Sequence, residues 1–368
     1  MNGQWLGTFD GGSIIVNIDE RELNYQGIAY VLENDKQIPS VAAFFQTPNK
    51  DVAFQCRTTW ILAIDPNSGN LVDFESIKQR YPAATTISKY ADVTGSWNKE
   101  QLNLAWTTDT GLTGECVLPR SKADQPSELV PLNQDWDAYK AYVSILKPRR
   151  YLFRGQEGPW RLRTSFHRTG RADLLRFLNE DIQVLHRHLS ASTRHVFNLQ
   201  IPDENGAFCN MVQHHGYPTP LLDWTYSPYV AAFFAYRRFS NEKAAAAGPD
   251  EKVRVLVFDQ LQWKNDWNQI LVLVHPGLYF SIGEFIAIEN ERMIPQQSAS
   301  TVTNIDDIES YIRSKESDTK KYISAIDLPV RERKRVIRDL RYMGITAGSL
   351  FPGLDGACEE LTERNFEL

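Results

Sequence analysis

Between Trp5 and Leu118 the hydrophobic residues come in short runs, most of them ended within a few positions by glycine, aspartate, asparagine or proline. Trp5–Phe9, Ser13–Ile18, Gly27–Leu32, Val41–Phe45, Val52–Cys56 and Trp60–Ile64 are rich in β-branched and aromatic residues, the composition of strands. Gln101–Trp106 and Gly114–Leu118 form a further pair, joined by Thr107–Gly111 with a glycine where a hairpin needs positive φ. Only Asp73–Tyr81 carries a helical signal. Many short strands at regular spacing predict a small β-barrel or sandwich over residues 1–118. Trp5 and Trp97 could close such a barrel by packing their indoles across its mouth, with either a filled core or a ligand pocket inside.

The pattern then changes. Residues 119–134 hold three prolines and no apolar period, which predicts a linker. Asp135–Leu146 has helical spacing after an acidic start, and Pro148 ends it. Arg171–Leu189 predicts a longer helix with Leu174, Phe177, Leu178, Ile182, Leu185 and Leu189 in one stripe. Val253–Phe258, Gly277–Phe280 and Tyr322–Ile326 read as strands, Ile305–Ser314 and Arg331–Tyr342 as helices, and Gly344 as a helix stop. Strands and helices mix without the βα alternation of a doubly wound sheet, so residues 135–368 are expected to form a second, α+β domain.

Composition narrows the function. Forty basic against 46 acidic residues leave a formal charge of −6, which gives no general attraction to nucleic acid or anionic membrane. The first residues lack the basic start and apolar run of a signal peptide, and no apolar run approaches the ~20 residues of a membrane span; a cytoplasmic location is the expectation. The cysteines at 56, 116, 209 and 358 are isolated, neither a disulfide framework nor zinc-ligand spacing. His186 and His188 point to different faces of their helix and suggest no metal site.

Candidate chemistry concentrates between Tyr151 and Ala235. Arg154 ends an apolar strand and is followed by Gly155 and Gln156, which places a guanidinium, suited to phosphate or carboxylate, where the backbone turns away. Pairing with an internal carboxylate such as Asp223 is the alternative role. Gln213-His214-His215-Gly216 sets two groups that exchange protons near neutral pH beside a glycine, and Pro218 and Pro220 stiffen this expected polar loop on its path to Leu221–Thr225. Ser227 before Pro228 has the pattern of a helix N-cap. Arg161, Arg163, Arg168 and Arg171 with Trp160 and Phe166 form a basic, aromatic cluster that could hold nucleic acid or could be solvated. No nucleophile-elbow serine, zinc-protease, phosphate-loop or dinucleotide glycine motif is present.

Several linked motifs in order resemble the FRG family: Phe153-Arg-Gly-Gln156, the Trp160–Arg168 segment, Gln213–Thr219 continuing into Leu221–Thr225, Phe234-Ala235, Asn290-Glu-Arg292 with Gln296-Gln297, and Leu350–Gly356. The likeness spans roughly residues 135–365. Pro220 stands where the family pattern usually has Arg, and Ser298 and Ser300 where Gly and Phe are usual.

The layout of that family resembles ADP-ribosyltransferases. The resemblance implies that Arg154 holds the phosphate or ribose of NAD, that Thr225 and Ser227 fall in a hydroxyl motif, and that Gln296 or Gln297 occupies a late polar position. Gly155, Gln156, His214 and Gln297 would line the dinucleotide. Since a Gln supplies only a dipole, Asp223 could stabilise the cation that develops on the ribose, and His215 could take the acceptor's proton. The implied function is an NAD-dependent transferase acting on protein or nucleic acid, a toxin or antiviral defence effector, with an antitoxin or trigger protein as a partner and no membrane. The alternative is a non-catalytic module that binds a nucleotide or partner.

Overall fold

The computed structural model describes residues 1–366. In the first part, β1 (Gly3–Phe9), β2 (Gly12–Glu20), β3 (Tyr25–Glu33), β4 (Val41–Gln46), β5 (Ala53–Arg57), β6 (Trp60–Ile64) and β7 (Leu71–Val72) precede β8 (Ala91–Trp97), β9 (Gln101–Thr108) and β10 (Thr113–Pro119). All pair antiparallel, in one sheet ordered β1-β2-β3-β4-β6-β7 and a second ordered β10-β9-β8-β5. Trp5, Val16, Ile18, Phe54, Leu102 and Leu118, drawn from both sheets, share one core.

The expected strands form, but among the described residues they do not close into a barrel. β1 is joined to the residue that follows β10 by one isolated bridge, Trp5 with Arg120, while β7 and β5 end their sheets as free edges. Trp5 is fully buried and donates from its indole to the carbonyl of Met1 at 2.8 Å. Trp97 packs edge-on to Tyr25, its centroid 6.0 Å away, so the two indoles do not bridge a mouth. The helical signal at Asp73–Tyr81 yields two short 3₁₀ turns.

β2 is buried on both faces. Ile14, Val16 and Ile18 enter the inter-sheet core; Ile15, with Ile28, Tyr30 and Ile64, packs against Leu175 and Leu278 of the second part. A strand covered on both sides needs a continuous apolar run, which Ile14-Ile-Val16 supplies.

The remainder begins with β11 (Pro131–Asn133), α1 (Trp136–Ser144) and β12 (Tyr151–Gln156), followed by α2 (Ser165–Arg168), α3 (Leu174–Arg176), α4 (Ile182–Leu189) and α5 (Pro202–His214). Next come β13 (Leu221–Thr225), α6 (Pro228–Tyr236), α7 (Asn241–Ala246), β14 (Lys252–Asp259), α8 (Gln260–Asp266), β15 (Phe280–Gly283) and β16 (Ser298–Thr303). The chain closes with α9 (Ile308–Ser314), β17 (Ile323–Pro329), α10 (Arg333–Tyr342), α11 (Ala347–Leu350) and α12 (Leu354–Phe366). These strands make one sheet ordered β11-β17-β14-β12-β13-β16-β15, antiparallel except for the β11–β17 pair. The α1, α6 and α10 residues pack on one face with Phe153, Val255 and Ile326. On the other, Leu152, Trp224 and Phe258 meet α8 and α9.

The segment predicted as a linker is docked: β11 extends the sheet, and Glu128 reaches Arg161 at 2.6 Å and Arg313 at 2.8 Å. The predicted 171–189 helix runs from Leu174 to Leu189, with a π-turn at Phe177–Asp181 joining α3 to α4. Gln213 and His214 lie on the last turn of a helix, not in a loop, and the strand expected at Gly277–Phe280 lies at Phe280–Gly283.

Candidate functional site

The sheet splits between β12 and β13. Phe153 and Thr225 pair, and the register would go on to Arg154 with Trp224 and Gly155 with Asp223, but the strands part there. The Arg154 side chain fills the opening and its Nη1 donates to the backbone carbonyl of Asp223 at 2.5 Å. Arginine is suited to this because one guanidinium supplies the donor the absent ladder partner would have given, with further N–H groups to spare. Its Nε is enclosed and has no hydrogen-bond partner among the described residues. Burial lowers its pKa to about 10 against the opposing pull of Asp223, so it stays charged at neutral pH. The expected pairing of Arg154 with Asp223 therefore runs through the backbone, and the carboxylate remains available.

Gly155 is fixed by packing. A Cβ here would lie 1.9 Å from the carbonyl oxygen of Ala231, so α6 crosses β12 at a distance only glycine allows. Ser227 caps α6, its Oγ accepting from the Val230 amide at 3.2 Å, with Pro228 in the first turn.

The split opens into a cleft of 410 Å³. Arg154, Gly155, Gln156, His214, Asp223, Thr225 and Gln296 line it, whereas His215, Ser227 and Gln297 do not. His215 is the exposed C-cap of α5, Ser227 is occupied as a cap, and Gln297 is exposed with φ +47°. Gln296 and Thr225 serve mainly as ties. Thr225 Oγ1 donates to the Gln296 carbonyl at 2.7 Å, and Gln296 Nε2 donates to the Leu350 carbonyl at 2.9 Å. They bind β13, the turn before β16 and the C-terminal segment together.

Two polar groups in the cleft are held from behind. The Asp223 carboxylate accepts from Gln213 Nε2 at 2.5 Å, and Gln213 Oε1 accepts from the Thr219 hydroxyl. His214 Nδ1 faces Asn290 Oδ1 at 2.9 Å, and Asn290 Nδ2 donates to Asn210 Oδ1 at 3.2 Å. That chain orients the Asn290 oxygen toward the imidazole, an arrangement that favours the tautomer with its hydrogen on Nδ1. Of the two adjacent histidines, His214 is the one that lines the cleft.

The walls are cationic and aromatic. Arg237 lies 4.0 Å over the Phe351 ring and makes two 2.5 Å contacts with Glu359; Arg292 donates to the His214 carbonyl at 3.0 Å and also faces Phe351. With Arg154, Arg168 and Arg238, five guanidiniums face the cleft against two carboxylates, Asp223 and Glu157. Such a surface favours an anionic ligand with a planar, apolar part.

Residues 149–244 match the FRG domain. This stretch is an FRG domain. It supplies β12, α5, β13 and α6, and hence Arg154, Gln213, His214 and Asp223, while Arg292, Gln296 and Phe351 come from the chain beyond the matched stretch. No curated protein and no solved structure shows a significant match to the chain.

The basic cluster preceding α3 does not form one surface around the FRG domain. Arg161 is fully buried against Asp307 and Glu128, Arg163 pairs with Asp306 and Asp124, and Arg171 bridges Asp19 and Asp181. Phe166 is buried. Sequence reasoning missed Arg237 and Arg238, which follow an apolar helix where basic residues ordinarily complement the dipole, and it did not assign Asn290 its role behind His214. Among the described residues no group of three or more His, Cys, Asp and Glu is placed to hold a metal ion, and no helix is long and apolar enough to cross a membrane.

Proposed function

We propose that the cleft binds NAD and transfers its ADP-ribosyl group to a macromolecular acceptor. The observation that carries this reading is the juxtaposition in the sheet split: a charged, half-satisfied Arg154 beside an available Asp223 carboxylate, under arginine-rich aromatic walls. Guanidiniums hold the pyrophosphate and orient the dinucleotide. As the bond from ribose C1′ to the nicotinamide nitrogen breaks, its electron pair leaves with nicotinamide and positive charge develops on the ribose, where Asp223 stabilises it. The acceptor's nucleophilic atom forms the new bond to C1′ and gives its proton to His214 Nε2.

A binding-only module is the second reading, favoured by one observation: Gln296 is buried and engaged with the Leu350 carbonyl, so the late polar position contributes structure.

Labelled NAD incubated with the full chain and a cell lysate, with label followed separately into protein and nucleic acid, decides between them. Asp223→Asn keeps an acceptor for Gln213 and removes the charge, so transfer is expected to fall by ~100-fold or more with NAD affinity little changed. His214→Ala is expected to lose transfer while His215→Ala retains it. Binding of NAD with no label transferred by the unmodified chain would establish the binding module instead.

A further inference from the structure

We infer that Trp160 and Arg168, with Arg238, form a nucleotide subsite at the mouth of the cleft, where a base stacks on the indole and its phosphate is held by the two guanidiniums. The inference deepens the proposed function and rests on it only for the use made of the site. Trp160 lines the cleft and is 55% exposed, yet its backbone is fixed from three directions. It bridges Pro126, its amide donates to the Gly158 carbonyl at 2.9 Å, and its carbonyl accepts from the buried Gln156 at 2.8 Å. The indole also lies against Gly158, close enough that a Cβ there would sit 3.3 Å from the ring. A large apolar ring on an anchored backbone and left open to water is the form of a stacking platform, since part of the ordering cost of binding has been met in folding.

Two of the cations that line the cleft with it are the least engaged there. Arg168 is exposed and makes no side-chain hydrogen bond or ion pair among the described residues, although Arg161, Arg163 and Arg171 around it are all paired. Arg238 is 77% exposed, with one contact to Glu157 at 3.4 Å. An exposed pair of that length contributes little and yields readily to a phosphate. Phe351, by contrast, is already covered by Arg237 and Arg292, and of the aromatic residues lining the cleft Phe153, Trp224 and Phe351 are buried and Phe234 is half-buried, which leaves Trp160 as the exposed one.

One ligand chemistry, a stacked base with a phosphate, has two sources here: the adenosine phosphate half of a dinucleotide, or a nucleotide of a single-stranded nucleic acid acceptor. Equilibrium titration of the full chain with AMP, ADP-ribose and fluorescent single-stranded oligonucleotides of increasing length tests the subsite without requiring transfer. Trp160→Ala is expected to weaken binding about 10-fold or more, Trp160→Phe to recover part of it, and Arg168→Ala or Arg238→Ala to reduce both affinity and its salt dependence. Loss confined to AMP and ADP-ribose assigns the subsite to the dinucleotide; loss confined to oligonucleotides, with affinity growing with length, assigns it to the acceptor. Binding of every probe unaffected by Trp160→Ala in a chain with unchanged thermal melting, or no binding of any probe, overturns the inference. Nucleotide binding that depends on Trp160 in a chain that transfers no ADP-ribose leaves the subsite standing and removes the proposed reaction.

Discussion

At Arg154 and Gly155, adjacent residues meet opposite demands: one side chain must be long enough to replace a missing strand partner, and the next must be absent. Gly155→Ala would force its methyl into the Ala231 carbonyl at 1.9 Å and the Ala235 amide nitrogen at 2.7 Å, both backbone atoms of a packed helix. Overpacking of that kind costs about 1–3 kcal/mol or more, so urea denaturation should show a clearly lowered midpoint. Gly216→Ala differs. Nothing lies within 4 Å of its Cβ position, but φ is +89°, and the backbone penalty of about 1 kcal/mol should appear alone. If the two variants were equally destabilised, the close approach of α6 to β12 would not be the constraint at Gly155.

At the level of elements, the site is a strand, a cap and a helix in sequence. Ser227→Ala removes the side-chain acceptor for the Val230 amide and should cost about 1 kcal/mol in a thermal or urea melt, with no loss of NAD affinity, because the hydroxyl is committed to the helix start. Reduced NAD affinity with unchanged stability would instead return Ser227 to the binding surface. This cap was legible in the sequence, since Ser-Pro before an apolar run specifies both the N-cap and the first turn. The same local rules found β12 and the acid-capped α1. They failed for α5, whose apolar face is interrupted by Asn205, Gly206 and Asn210, so that only its polar end, Gln213 and His214, stood out and looked like a loop. The reason lies in tertiary contacts: Asn210 is buried because it donates to Ser300 and accepts from Asn290, residues 90 and 80 positions away, respectively. The choice between His214 and His215 likewise depends on which one Asn290 reaches. Local spacing contains no information about that partner.

Across the whole molecule, the two parts are joined by buried polar contacts that carry a pH signature. Asp19 on β2 accepts from the Ala172 amide at 2.9 Å and pairs with Arg171 at 2.8 Å, while Gln4 donates to the Asn304 carbonyl at 2.7 Å. Beside this joint Asp173 caps α3, and burial, with a further contribution from Asp19, raises its pKa to about 6 although the Arg176 amide and the Arg176 and Arg171 charges pull it down. Tyr30 of β3 faces it as well. In the unfolded chain this carboxyl titrates near 3.8. Between those values the folded chain binds more protons, so stability from Asp173 is fully present below about pH 4 and lost as pH rises through about 6. His167, buried and lowered to about 3, has the opposite sign, losing stability as pH falls below its ordinary value, and so masks the effect in the unmodified protein. Comparison with Asp173→Asn cancels the histidine, because both chains contain it, and asparagine still caps α3. The variant should match the unmodified chain near pH 4 and exceed it by on the order of 2 kcal/mol at pH 7, read from urea melts across that range. A difference that stays constant from pH 4 to 7 would mean that Asp173 is ionised in the folded chain throughout, with Arg171 and Arg176 outweighing burial at the joint.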